Sequence, residues 1–324
     1  MNARGDNTMM TMRRQATFGT AEAASEGGFR RLPFYVFDVD PTEELATDEA
    51  IRGSSYPGDI VAGLQNMSGK LEVPLGLQSI GWHLAAMFGD PATSEPTSGN
   101  FEHVFTPAEI PDPALQTACK SFLGVNTHFA QDSIVYKGLE LSAKKEGRRQ
   151  KVSFDLIGRQ EVKVGAALDG SPVEFANDLT PVAFIGKAMV DGAEAAAITG
   201  ITGKAANEAE MDQEEMNGLP TASGLTAGDW MFDGSIDTRF RDATYYDLAE
   251  NGTLFDLSLV FEISPVRKIE FTWYKVRLER KGVPVSGREV ISASFNFRVG
   301  RPAPGSVPFR VVLKNDVASY GNPS

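Results

Sequence analysis

Cysteine is almost missing from this chain: Cys119 is the only one in 324 residues, which excludes an intrachain disulfide and a thiolate metal cluster. A lone thiol of this kind is expected in a buried apolar position, and its scarcity fits a protein made in a reducing cytoplasm. Histidine is nearly as rare. His83, His103 and His128 stand far apart with no HxxxH or HExxH spacing, so a zinc site of the metalloprotease kind is not expected. No run of about 18 apolar residues occurs, and the first thirty residues carry Arg4, Arg13 and Arg14 without a signal-peptide core. The chain is therefore expected neither to span a membrane nor to be exported by the usual route. Basic residues are the minority, 31 against 43 acidic, for a formal net charge of −12. That balance disfavours a duplex-binding protein, which needs Lys and Arg on phosphates. It leaves room for a protein that surrounds DNA without holding it, since a negative wall repels phosphate over about 8–10 Å.

Signatures of catalysis are also absent. Gly200 and Gly203-Lys204 sit too close together for a phosphate loop, and Ala205 lacks the metal-binding hydroxyl. Asp38, Asp40, Glu43 and Glu44 crowd one segment without EF-hand spacing and read as a solvated strand end. There is no GxSxG turn, and paired carboxylates are too common in an acidic chain to indicate a glycosidase. Arg4-Gly5-Asp6 is a triplet that arises readily by chance. No catalytic residue, cofactor site or metal site is expected.

What the chain does have is strand periodicity. Its length suggests two core-forming units of about 150 residues each. Residues 1–28 are polar and Met-rich and end in Gly-Gly, which suggests an arm that orders only against a neighbour. LPFYVFDV (32–39) reads as a strand and 40–66 as a long loop. Leu71, Val73 and Leu75 alternate with polar residues as in a half-buried strand. Leu77, Ile80, Leu84, Met87 and Phe88 recur at helical spacing before Gly89, predicting a helix. After a loop at 90–100, strands are expected near 101–106, 117–123, 134–142 and 151–163, with Val152, Phe154 and Leu156 on one face. Residues 191–229, rich in Ala, Gly, Thr and Glu, read as a long exposed loop. From Trp230 onward strand signals return at 236–240, 257–263, 269–278 and 291–299. In the third of these the apolar phase moves from Ile269, Phe271 and Trp273 to Val276 and Leu278, which predicts a bulge or a strand that changes sheet.

The two halves resemble each other. Met67-Ser-Gly-Lys-Leu-Glu matches Phe232-Asp-Gly-Ser-Ile-Asp, aligning Gly69 with Gly234, Leu71 with Ile236 and Glu72 with Asp237. A stretch ending in a stop follows each, His83-Leu84-Ala85 to Gly89 and Asp247-Leu248-Ala249 to Asn251-Gly252, and an apolar strand with a long loop precedes each (LPFYVFDV and 40–66, VAFIGKAMV and 191–229). Gly147-Arg148 and Gly158-Arg159 flank a strand in the first half, as Gly287-Arg288 and Gly300-Arg301 do in the second. Residues 90–116 have no counterpart. A duplication is expected, against the background that β proteins reuse strand and turn chemistry anyway.

SGKLEVPLGLQSIGWHLAAMFG, FEHVFTP, YKGLELSAKKEGRRQKVSFDLIGR and KIEFTWYKVRLERKGVPVSGREVISASFNFRV, in this order, resemble the tail tube proteins of long-tailed phages. The opening ARG with Phe18-Gly19-Thr20 and the segment SLVFEI add to the likeness, which covers most of the chain and is thinnest at 191–229. The resemblance implies a mainly β fold, a β-sandwich or β-barrel tube domain with a flanking helix, whose strands join those of neighbouring subunits around a lumen. With the duplication, an arm (1–28) precedes two tandem tube domains, 29–165 and 166–324, the second carrying the 191–229 loop and a C-terminal tail. A trimer would then give a pseudo-sixfold ring, and single domains a hexamer. Implied partners are further copies of the chain, the tail terminator, tape measure and distal tail proteins, and duplex DNA passing without specific binding. The implied place is the virion tail, assembled in the host cytoplasm. Glu72 and Asp237 are candidates for the lumen wall, and Arg4, Arg13, Arg14 and Phe18 for contacts between subunits. Another virion structural or decoration protein, or a β-sandwich carbohydrate-binding module with clustered exposed aromatics, are the alternatives.

Overall fold

The computed structural model describes residues 2, 4–23, 28–53, 55–283, 290–301, 303 and 305–322. The alternating apolar pattern produces strands through most of this length. The first half runs β1 (Thr8–Arg14), β2 (Arg30–Arg31), β3 (Val36–Phe37), β4 (Asp40–Thr47) and β5 (Ile60–Pro74), then helix α1 (Ile80–Phe88). It continues with β6 (Ala92–Thr97), β7 (Asn100–Phe105), β8 (Gln116–Phe122), β9 (Thr127–Lys144), β10 (Lys151–Gly158) and β11 (Gln160–Val164). The second half holds β12 (Lys187–Val190), β13 (Ala193–Glu194), β14 (Ile198–Ala206), β15 (Glu210–Asp212), β16 (Gly224–Thr226) and β17 (Met231–Arg239). Helix α2 (Thr244–Asn251) precedes β18 (Phe255–Ser264), β19 (Arg267–Leu278), β20 (Ser292–Val299) and β21 (Phe309–Asn315).

The fold is mainly β, and the strands pair in antiparallel fashion into two layers. One layer is a single sheet passing through both halves in the order β4–β5–β10–β9–β14–β17–β20–β19. The other is built from β2–β1–β8–β9–β11 of the first half and from β13–β12–β18–β19–β21 of the second, the latter extended by β7–β6 of the first half. Strands β9 and β19 are long enough to serve both layers, and among the described residues the sheets form a sandwich without closing into a barrel. Between the layers lie Leu71, Tyr136, Phe154, Trp273 and Phe297, all essentially inaccessible. Helix α1 is apolar on every side and fully buried, as such a helix must be. Gly89 ends it with φ 85°, a backbone setting that glycine adopts without strain.

The predicted change of face in β19 is present. Ile269, Phe271 and Trp273 are buried, Lys275 has φ 51°, and Val276 and Leu278 are buried in the opposite phase. The bulge also marks a change of partner, from β21 over residues 268–273 to β20 over 276–278.

Several expectations are corrected. Thr8–Arg14 is not an arm without structure of its own: it pairs with β8 along its whole length and buries Met10 and Met12. The 40–66 loop is a hairpin of β4 and β5, and the 90–100 loop is the β6–β7 hairpin. Both escape a periodicity argument because neither face of their outer portions is buried. Residues 191–229 contain β14, which sits in mid-sheet between β9 and β17. Of its inward positions only Ile201 is large; Gly203 and Ala205 are too small to complete a strand signal, and the Trp273 ring fills the space above Gly203. The C-terminal tail contains β21, whose Phe309, Val311 and Leu313 are wholly buried.

The pairing pattern of the first half recurs in the second, register included. Val36↔Glu72 and Phe37↔Leu71 reappear as Gly200↔Asp237 and Ile201↔Ile236. Asp40↔Ser68, Pro41↔Met67 and Thr42↔Asn66 reappear as Lys204↔Asp233, Ala205↔Phe232 and Ala206↔Met231. Leu71↔Phe154 and Gly69↔Leu156 match Ile236↔Phe295 and Gly234↔Phe297. The β8–β9 and β18–β19 hairpins share a one-residue bulge, at Ser133 with φ 52° and at Lys275 with φ 51°. The counterpart of β3 and β4 is thus β14, and that of VAFIGKAMV is β1, not LPFYVFDV as the sequence suggested. Gly287-Arg288 lies outside the described residues.

Candidate assembly surfaces

The β4–β5 hairpin leaves the sandwich at Met67, the first buried residue of β5. With eight residues in β4 at about 3.3 Å each, it extends on the order of 25 Å. Apolar side chains stand out from it into solvent: Leu45, Ile51, Tyr56 and Ile60 are each at least 70% exposed. Such a projection of apolar groups marks a binding surface in a stable protein. Its base is braced, since Gln213 donates to the Gln65 carbonyl at 2.8 Å and the Gln65 amide to the Pro220 carbonyl at 2.8 Å. The hairpin is also acidic, with Asp40, Glu43, Glu44, Asp48, Glu49 and Asp59 against Arg52 alone. Together with the acidic run 208–215, it holds most of the charge excess of the chain.

Glu72 and Asp237 occupy matched positions on the polar face of the continuous sheet, half-exposed, on β5 and β17. Three strands separate them, roughly 19 Å at the usual strand spacing. This face is not anionic. Glu72 meets Lys151 at 2.6 Å, Asp237 meets Lys144 at 3.2 Å, Glu140 meets Lys204 at 3.3 Å and Asp155 meets Lys70 at 3.8 Å. The acid surplus that the composition suggested for a repelling wall sits on the hairpin and the 208–215 run instead.

The four candidate contact residues do not form one patch. Arg4 is exposed and pairs with Asp6 at 3.1 Å. Arg13 lies 3.7 Å from Glu22, both mostly buried. Arg14 meets Asp90 at 2.6 Å and stacks over Trp82 with 5.9 Å to the ring centre. Phe18 is half-exposed in the Thr17–Thr20 turn.

Histidines serve packing. His83 contacts the Tyr136 hydroxyl at 2.7 Å and stacks on Phe154, and burial pushes its pKa down to about 3. His103 donates from Nε2 to the Val317 carbonyl at 2.8 Å, and burial lowers its pKa as well. His128 contacts the Ser121 hydroxyl at 2.9 Å. Among the described residues no group of three or more His, Cys, Asp or Glu could hold a metal ion, and no helix is long and apolar enough to cross a membrane. Trp82 and Trp273 are buried, and Trp230 is sandwiched between Phe88 and Phe232 with its N–H donated to the Ala108 carbonyl at 2.8 Å. None of the three offers the exposed aromatic platform of a glycan binder. The surfaces left for function are an apolar acidic hairpin and the open ends of a long sheet, which suit assembly with other chains.

Two comparisons bear on this. Among curated proteins, nothing matches the chain. A family model described as Phage tail tube protein matches residues 5–299, which takes in both halves from the start of the chain to the end of β20. With that match spanning nearly all of its length, the chain belongs to the phage tail tube protein family.

Proposed function

We propose that copies of this chain close into rings, and that the rings stack through the β4–β5 hairpin into a tube that conducts DNA. Family membership makes the chain a structural component of the virion tail; its mode of assembly is the finer reading. The observation that carries it is the hairpin: a braced projection with apolar side chains exposed on both faces, which needs a surface on another subunit to cover it. Reaching along the tube axis, it would bury Ile51 and Leu45 against the next ring. The recurring registers support two tandem tube units per chain, roughly 29–165 and 166–324, with β1 added to the first, and so a ring of three chains presenting six units. The polar face of the continuous sheet is the candidate lumen wall. Its matched ion pairs leave few unpaired amines to bind phosphate and little net charge to repel it, so duplex DNA can pass without being held. Tail terminator, tape measure and distal tail proteins are the expected partners at the tube ends.

Negative-stain microscopy of the purified chain tests the reading. Rings or hollow tubes are expected from the full chain, and removal of residues 46–61 is expected to leave a folded subunit that forms no tubes. Tubes of normal length from the shortened chain would refute stacking through the hairpin.

A further inference from the structure

We infer that the ring closes by strand addition in a defined register: the segment that follows β19, residues 279–283, pairs antiparallel with the open edge formed by residues 36–42 of a second copy of this chain. The inference rests on the ring reading above and adds which edges meet and how.

The two halves of one chain already show such a joint. Beyond its hairpin with β8, strand β9 runs on and takes β14 as a neighbour: Ser142↔Thr202, Leu141↔Gly203, Glu140↔Lys204, Leu139↔Ala205 and Gly138↔Ala206. Strand β14 corresponds to residues 36–42, position by position, through identical pairing with β17 and β5. Strand β9 corresponds to β19 through their shared bulge, and Leu156↔Tyr136 matches Phe297↔Leu278; β9 then carries one extra residue, Lys137, so that Gly138, opposite Asp155, corresponds to Glu279, beside Asn296. Past Leu278 the chain continues beside β20, with the Glu279 amide donating to the Asn296 carbonyl at 2.8 Å. Its opposite side lies beyond the start of β18 and carries no partner strand among the described residues. The edge at 36–42 is likewise paired on one side only, to β5. One junction of the repeating sheet is therefore made inside the chain, and the equivalent junction is left open at both ends.

Carrying the register across places Glu279 opposite Thr42, Lys281 opposite Asp40 and Val283 opposite Asp38. Charge fits this placement. The internal joint has Lys204 against Glu140 at 3.3 Å; the open joint would set exposed Lys281 against Asp40, with the sign of each side exchanged. Around them the receiving edge carries Asp38, Glu43 and Glu44, while the incoming segment carries Glu279 and Arg280, the latter meeting Glu250 of its own chain at 2.7 Å, so that Lys281 supplies the complementary charge. Asp40 already meets Lys120 at 2.8 Å and would be shared, while Pro41, which has no N–H, and Val39, whose carbonyl already accepts from Gln131 Nε2 at 2.7 Å, weaken the ladder at two positions. The contact is head-to-tail, the kind that generates a closed ring when its rotation closes.

The test is disulfide trapping. Thr42→Cys and Glu279→Cys in one chain place two exposed positions opposite each other, within the Cα separation that a disulfide spans. Oxidation after assembly is expected to give a covalent ladder on a non-reducing gel, ending at the ring size. Thr42→Cys with Arg280→Cys, a slip of one residue, points the thiols to opposite faces and should give no ladder. Tubes that form without a ladder, or with equal ladders from both variants, overturn the register and leave ring assembly standing. An unmodified chain that forms no rings at all removes the ring reading, and this inference with it. Hydrogen exchange on the unmodified chain covers a variant that fails to assemble: amides of 36–42 and 279–283 should exchange more slowly in tubes than in free subunits, and unchanged exchange at both overturns the pairing.

Discussion

Adding a single methyl group at Gly203 discriminates between an exposed loop and a central strand at 198–206. A Cβ at this position would lie 2.6 Å from Trp273 Cη2, 2.9 Å from its Cε2, and nearer still to Cζ2. Carbon atoms rest at about 3.5–4.0 Å, so the ring or the strand must yield by an ångström or more. Trp273 cannot swing away: it is inaccessible to solvent and wedged between Phe309 at 5.3 Å and Phe297 at 6.1 Å. Overpacking of this kind costs about 1–3 kcal/mol. Replacing glycine by alanine returns about 0.4–1 kcal/mol by narrowing the unfolded ensemble, so Gly203→Ala should lose up to about 2.6 kcal/mol net, centred on about 1.3 kcal/mol. Gly203→Val should lose more, although valine is the better strand former, because its branches meet the same ring. Urea denaturation followed by circular dichroism measures both. Trp273→Phe in the same chain should recover part of the loss, as expected for residues in contact. A change within about 0.5 kcal/mol for Gly203→Ala and Gly203→Val would mean that the position is an ordinary exposed one, and the mid-sheet placement of β14 would fall.

Other expectations follow from the same structure. Met12→Ala removes a wholly buried side chain from β1 and should cost about 2–5 kcal/mol in denaturation; a surface-like value would return 8–14 to an arm. His83, held down to a pKa of about 3 by burial, binds its proton only in the unfolded chain between that value and about 6.5. Stability should therefore fall on acidification through this window, by at most about 1.4 kcal/mol per pH unit from this group, and His83→Phe should flatten the slope. Equal slopes for both chains would refute it. Glu72→Lys together with Asp237→Lys leaves Lys151 and Lys144 without their carboxylates and makes the candidate lumen wall cationic. DNA ejection from virions carrying it should slow, and unaltered ejection would place these residues elsewhere.

Local sequence was sufficient wherever one face of an element is buried and the other wet. Strand β10, the second part of β5 and the strands of the last third show their period directly, and even the bulge in β19 is written as a shift of phase from Trp273 to Val276; helix α1, buried on every side, was legible instead from its apolar spacing and the stop at Gly89. The matched positions of Glu72 and Asp237 were also legible, because equal registers preserve equal side-chain order. Strand β21 carried a plain alternation, Phe309, Val311 and Leu313, that its place near the end of the chain disguised.

By itself, then, the sequence determined the β class, the helix that stops at Gly89 and the phase change in β19, all of which depend on which side chains recur and how far apart. Only the tertiary structure decided that β14 is a central strand, since its small residues become core through the Trp273 ring laid over Gly203. Likewise it alone decided that 40–66 is a hairpin exposed on both faces, and that the polar face of the sheet is balanced in charge. The physical reason is the same in each case: burial, pairing and ion-pair partners are properties of what a segment meets across the fold, and residues far apart in the chain supply them.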